Sequence, residues 1–187
     1  MAFPAFLDAC VLVPIKLTDL LLRLAEANTY RILWSAEVLN EVERNLPRVG
    51  VSPDKARTRI QQMRDTFPDA MVTGYEALIP AMTNHPKDRH VLAAAVRADA
   101  AVIVTANLKD FPATALDPYD LNAVHPDDFL LDQLDLYPTQ TLRCVREQIV
   151  AHRNPAISTD QFLSTFKKTV PRFTSTIREP LLGQHPS

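Results

Sequence analysis

The run Ala101-Val102-Ile103-Val104-Thr105 is apolar and largely β-branched up to its closing threonine, the clearest buried strand in the chain. A strand with both faces buried belongs to a parallel sheet covered by helices more readily than to a half-solvated hairpin. The preceding residues supply neighbours for it. Ala5-Phe6-Leu7 is a short apolar run that stops at Asp8, and Leu12 to Leu24 follows with Leu17, Leu20, Leu21 and Leu24 at helical spacing. Tyr30-Arg31-Ile32-Leu33-Trp34 is rich in strand formers and stops at Ser35, a preferred helix cap; Ala36 to Leu46 then places Val38, Leu39, Val42 and Leu46 on one face. Ser52-Pro53-Asp54 opens a third helix whose exposed face carries Lys55, Arg57, Arg59 and Arg64. Met71-Val72-Thr73 is a weaker strand candidate, and His90 to Ala98 is an apolar helix. Alternation of this kind predicts an α/β fold with a central parallel sheet and helices on both faces, binding its ligand in the crevice beyond the carboxyl ends of the strands. Asp8 and Asn107 both fall just past strand ends.

From Asp127 onward the pattern is helical, with Leu130, Leu131 and Leu134, then Leu142, Val145 and Ile149, then Phe162 and Phe166, broken at Pro138-Thr139 and Asn154-Pro155. Residues Leu182 to Ser187 read as a frayed end. The expected organisation is therefore an α/β domain over residues 1–130 and a helical C-terminal extension over 131–187.

Several function classes drop out on composition. The three glycines, Gly50, Gly74 and Gly183, cannot write a dinucleotide-binding or Walker-type phosphate loop. The two cysteines, Cys10 and Cys144, make neither a disulfide framework nor a zinc site, and read as reduced thiols inside a cell. Cys10 is expected to be a small buried hydrophobe and Trp34 a core residue. The longest stretch free of Asp, Glu, Lys and Arg is the ten residues Ala77 to Pro86, against roughly 20 needed for a membrane span. With no export signal in the first residues, a cytoplasmic location is expected. Net charge is -2, but residues 69–140 hold four basic and eleven acidic side chains while 141–187 hold seven and three. Contact with a polyanion must then run through local basic patches or bridging cations.

Four acids fit the second route. Asp8 follows a strand, Glu41 lies in the helix that Ser35 caps, Asp88 opens a helix, and Asp110 lies in Asn107-Leu108-Lys109-Asp110-Phe111-Pro112. Each has an ordinary structural use when taken singly: Asp8 and Asp88 as helix-terminus acids, Glu41 as a solvated helical side chain, Asp110 as a loop acid. Gathered, they are what a hard divalent cation needs, since Mg2+ takes oxygen ligands and keeps several waters.

Their order and context resemble the PIN domain family. Asn84-His85-Pro86-Lys87-Asp88-Arg89-His90-Val91-Leu92-Ala93-Ala94-Ala95, followed by Val102-Ile103-Val104-Thr105-Ala106-Asn107-Leu108-Lys109-Asp110-Phe111-Pro112, is similar to VapC-type toxin ribonucleases of type II toxin–antitoxin systems, within a branch that has a helical C-terminal extension. The resemblance covers roughly residues 3–130 at motif level. It implies a three-layer α/β sandwich and an endoribonuclease dependent on one or two Mg2+ or Mn2+ ions. It further implies products with a 5′-phosphate and a 3′-hydroxyl, and a cognate antitoxin. By motif position it gives Asp8, Glu41 and Asp88 metal-binding roles. Many family members carry aspartate where this chain has Asn107, which can offer only a neutral amide oxygen; Asp110 stands three residues on as a direct ligand or as an outer partner.

On this reading metal-activated water attacks the scissile phosphate, and Ser35 and Thr105 support the acids. Arg44, Arg48 and Arg89, with the basic third helix, hold the RNA by its phosphates, and specificity comes from splayed bases in a structured loop. The histidines His85, His90, His125, His152 and His185 show no zinc-ligand spacing and receive no role. The leucine-rich first helix and the C-terminal helices suggest a partner: a second copy forming a homodimer, an antitoxin strand or helix, or both. Two other readings compete. One is a PIN domain that has lost catalysis and serves as a protein or RNA scaffold, to which Asn107 lends weight. The other is an aspartate-dependent phosphatase, which normally wants a second aspartate where this chain has Cys10.

Overall fold

A computed structural model of the chain describes residues 2–152 and 155–183. The expectations placed on Asn154 and on the segment after Gly183 lie outside the described residues. In chain order the elements are β1 (Pro4–Leu7), α1 (Ala9–Leu12), α2 (Ile15–Glu26), β2 (Arg31–Ser35), α3 (Ala36–Asn45), α4 (Pro53–Thr66), β3 (Met71–Val72), α5 (Arg89–Arg97), β4 (Val102–Val104), α6 (Ala113–Leu116), β5 (Asn122–Val124), α7 (Pro126–Leu136), α8 (Pro138–Ala151), α9 (Thr159–Phe166) and α10 (Pro171–Leu182). By packing the chain forms two compact units, one of residues 1–14 and 30–125, the other of residues 15–29 and 126–187. None of the helices among the described residues is long and apolar enough to cross a membrane.

The first unit is the α/β part. Its five strands are all parallel, in the order β3-β2-β1-β4-β5. The register pairs Phe6 with Leu33 on one side and with Ile103 on the other, so β1 is central. Ala5, Phe6, Leu7, Ile103 and Val104 have no exposed surface, as a strand covered on both faces requires. Trp34 is likewise fully buried and meets the Phe67 ring edge-on at 5.8 Å, the core role expected of it. Burial of such a side chain contributes roughly 1.5–3 kcal/mol. On β2 and β4 lies α5, whose Val91 to Ala95 are completely buried; three consecutive alanines let the helix backbone come close to the strands. Connections leave β1 toward β2 and β3, then return to β4 and β5 on the far side, so the order reverses between β1 and β4. Open parallel sheets bind ligands at such a switch point, and Asp8 and the Thr105–Asn107 segment stand on either side of it.

Two details differ from the sequence reading. The helix expected over Leu12–Leu24 is two helices, broken where Pro14 interrupts the backbone ladder. The sheet also has a fifth strand, Asn122–Val124, which is too short to show a periodicity and exists through its pairing with Val102–Val104.

The second unit is helical: α2 and α7–α10, with α2 packed on α8 and α10 on α7, α8 and α9. Leu17, Leu20, Leu21 and Leu24 of α2 are buried within the chain, so that leucine stripe is not open surface. Phe162, Phe166 and Phe173 form a ring cluster, with the Lys16 ammonium 5.4 Å from the Phe162 centroid. Two N-termini are fixed by side chains. Ser158 and Gln161 make a reciprocal capping box on α9, and the Asp127 carboxylate accepts the Arg172 and Phe173 backbone N–H groups of α10 at 3.0 and 2.8 Å.

Candidate active site

Beyond the carboxyl ends of the strands in the first unit lies an open cavity of about 880 Å³. Asp8, Glu41, Asp88 and Asn107 line it, together with Cys10, Arg44, Arg48 and Lys87. Side chains 33 and 47 positions apart in the chain thus line one cavity.

Asp8 is placed by β1: its N–H bonds the Val104 carbonyl at 3.1 Å, which ties the end of β1 to β4. Although it stands at the N-cap position of α1, its side chain caps nothing. Its Oδ2 instead accepts from the Thr105 hydroxyl at 2.7 Å and the Cys10 thiol at 3.2 Å. Thr105 is therefore a direct support of Asp8. Its oxygen also accepts the Asn107 N–H at 3.0 Å, which fixes the turn after β4. Cys10 is not the buried hydrophobe expected; it is half-buried and joins Asp8, Thr105 and the Ala106 N–H in one network. Burial, then the charge of Asp8, pushes its thiol up to about 12, so it stays protonated and can keep donating.

Glu41 comes from α3, which begins where β2 ends because the Ser35 hydroxyl accepts the Val38 N–H at 3.2 Å. Ser35 thus caps the helix that carries Glu41. Opposite Glu41 stands a residue to which the sequence reading gave no role. His90, in the first turn of α5, has Nε2 3.0 Å from Glu41 Oε1 and Nδ1 3.6 Å from Glu37 Oε2, and the Tyr75 hydroxyl donates to Glu37 at 3.1 Å. No sequence spacing signals a contact between positions 41 and 90; only the meeting of α3 and α5 creates it.

Asp88 stands at the N-cap position of α5, again with no capping bond from its side chain. The Asn84 amide donates to its carbonyl at 3.0 Å, and its N–H bonds the His85 carbonyl at 2.9 Å. Burial and then the neighbouring Asp8 charge push the Asp88 carboxyl up to about 6, against the pull of Lys87. Asp110 does not line the cavity itself but adjoins it: one oxygen each from Asp88 and Asp110 and a ring nitrogen of His85 lie within 4.8 Å of one another. Asp88 Oδ2 and Asp110 Oδ2 are both buried without a well-formed hydrogen bond. What faces them is the Lys87 ammonium, 3.7 Å from the first and 3.2 Å from the second. Burial alone would raise the Asp110 carboxyl; contact with Lys87 outweighs it and holds the group below the usual carboxylate range.

The basic residues divide. Arg44 and Arg48 are exposed on the cavity wall, Arg48 presented by the 3₁₀ turn Leu46–Val49, which Gly50 closes at φ +88°, a conformation costly for residues with a Cβ. Arg89 is not among the lining residues; its guanidinium donates to the Asn84 carbonyl at 3.4 Å. Lys55, Arg57, Arg59 and Arg64 of α4 are not among them either, and Arg57 pairs with Asp54.

A parallel α/β sheet with carboxylates gathered at its switch point defines the class of α/β proteins that place a ligand site at their strand ends, and comparison with known proteins narrows it. The PIN domain family profile matches residues 4–109, and the chain belongs to this family. Residues 126–179 match a second profile, the VapC50 C-terminal domain. Among curated proteins the chain is 47% identical over 132 residues to the Mycobacterium tuberculosis protein named "Putative ribonuclease VapC50", covering 71% of this chain and 76% of that one. No solved structure matches the chain significantly.

Proposed function

We propose that this chain is a Mg2+- or Mn2+-dependent endoribonuclease acting as the toxin of a toxin–antitoxin pair. The observation that carries the reading is the convergence of Asp8, Glu41 and Asp88 on one cavity at the strand ends, in a chain 47% identical to a protein named as a ribonuclease. The donor set fits a hard divalent ion. It is all oxygen from carboxylates, and the buried, poorly bonded oxygens of Asp88 and Asp110 are the kind of group that a cation satisfies. Asp8, Glu41 and Asp88 would hold one or two such ions, with Asp110 as a further ligand or outer partner. Bound there, the ion lowers the pKa of a water and offsets charge on the phosphate.

The protein's own residues do the rest. Thr105 and Cys10 fix one oxygen of Asp8, leaving the other for ligation. His90 stands against Glu41 and limits how far its carboxylate can turn. Asn107 contributes an uncharged amide to the same wall. Arg44 and Arg48, charged and exposed beside the acids, would grip the RNA backbone on either side of the reacting phosphate. A cognate antitoxin is expected to cover this cavity, where Val49 leaves apolar surface about half exposed. A homodimer is part of the same reading; sizing of the isolated chain checks it.

Asp8→Asn is the direct test. With Mg2+ present, cleavage of single-stranded RNA should fall on the order of 10³-fold, corresponding to a few kcal/mol of lost transition-state stabilisation. A scaffold without catalysis, the reading that Asn107 favours, would show no metal-dependent cleavage in the unsubstituted chain. A phosphatase would turn over a small phosphate ester instead; the thiol of Cys10, occupying the place of that class's second aspartate and bonded to Asp8, weighs against it.

A further inference from the structure

Lys87 was given no role by the sequence, yet it lies in the cup with the acids. The 3₁₀ turn Pro86–Asp88 carries it, with proline fixing the first backbone angle, so the ammonium is tethered one residue from Asp88. It reaches 3.2 Å from Asp110 Oδ2 and 3.7 Å from Asp88 Oδ2, the two buried oxygens that no donor otherwise satisfies well. One oxygen from each of the same two carboxylates, with a His85 ring nitrogen, forms the one tight group of possible metal ligands among the described residues. The ammonium therefore faces the donors that a second ion would need. Ions in two-metal nuclease sites lie about 3.5–4 Å apart and share a carboxylate between them. Here the carboxylate to be shared is Asp88, and the Lys87 ammonium already stands 3.7 Å from its Oδ2.

We propose that the Lys87 ammonium is the built-in cation of the His85–Asp88–Asp110 side of the cup, so that the resident divalent ion is single and held on the Asp8–Glu41–Asp88 side. The inference rests on the metal-dependent reading above and chooses between its one-ion and two-ion forms. The lysine supplies the second positive charge that a two-ion nuclease takes from its second ion. A neutral side chain at position 87 vacates that place and leaves His85, Asp88 and Asp110 free to take a divalent ion.

Counting Mn2+ on the metal-stripped full chain by titration, with electron paramagnetic resonance of the bound ion, tests this. The unsubstituted chain and Lys87→Arg should each bind one Mn2+ and give an uncoupled spectrum. Lys87→Met and Lys87→Gln should bind two, with the spin coupling of a close pair; circular dichroism verifies that they are folded, and two variants guard against loss of one. Two ions on the unsubstituted chain, or one on both folded neutral variants, overturns the inference while leaving the metal-dependent reading in place. No ion on the unsubstituted chain overturns that reading and the inference together.

Discussion

Asp127 and Asp88 are both buried aspartates at helix N-termini, 4% and 7% exposed, one in each unit, and they are used in opposite ways. Asp127 accepts two backbone N–H groups of α10, so its carboxylate ties one helix of the unit to another. Asp88 caps nothing and is pushed up to about 6, with one oxygen buried and poorly bonded. A fold that can satisfy a buried carboxylate in one place leaves another unsatisfied where four acids gather. The difference separates a carboxylate that holds the fold from one that, in the proposed function, holds a cation, and position at a helix start does not distinguish them.

The contrast can be broken most directly at Asp127. Replacing it with Ala removes two charge-assisted bonds to backbone N–H groups, one of them buried, and thermal or urea unfolding should register a loss of about 2–3 kcal/mol with the acid cup intact. Asp88→Asn should do the reverse, making the ion-free chain more stable by about 1–2 kcal/mol at pH 7 while removing cleavage. The sign follows from the raised carboxyl. Asp88 favours the protonated form in the folded state, so its contribution is best at acid pH and declines as pH rises from about 4 to about 6. Ion-free unfolding curves across that window should show this decline in the unsubstituted chain and lose it in Asp88→Asn. His90→Ala frees Glu41 to rotate and should weaken Mn2+ binding about tenfold, with His90→Gln restoring part of it. The smallest effect belongs to the second unit, where Ser158→Ala opens the capping box of α9 at a cost of about 0.5–1 kcal/mol in unfolding experiments.

Part of this was legible in the sequence. Asp8 and Asn107 flank strand ends that hydrophobic runs announce, and a parallel sheet brings the ends of adjacent strands together wherever they lie in the chain. Ser35 could be read as a cap because capping chemistry is local. The contacts of His90 and Lys87 could not be read. Tertiary packing alone creates each of them, one between two helices and one by folding back over a turn. Cys10 was misjudged for the same reason: its environment is set by Thr105, 95 residues away. The strand Asn122–Val124 was missed because three residues carry no period, and the sheet edge defines it. Pro14 is a local signal for the break before α2, which the leucine spacing across it masks.

The helix α2 sits between β1 and β2 in the chain yet belongs to the helical unit and packs on α8. During synthesis it leaves the ribosome while its packing partner is still untranslated, and roughly 120 residues must be added before α8 is complete. At usual elongation rates that is on the order of ten seconds with four leucines lacking their final neighbours, an interval in which a chaperone could engage the nascent chain.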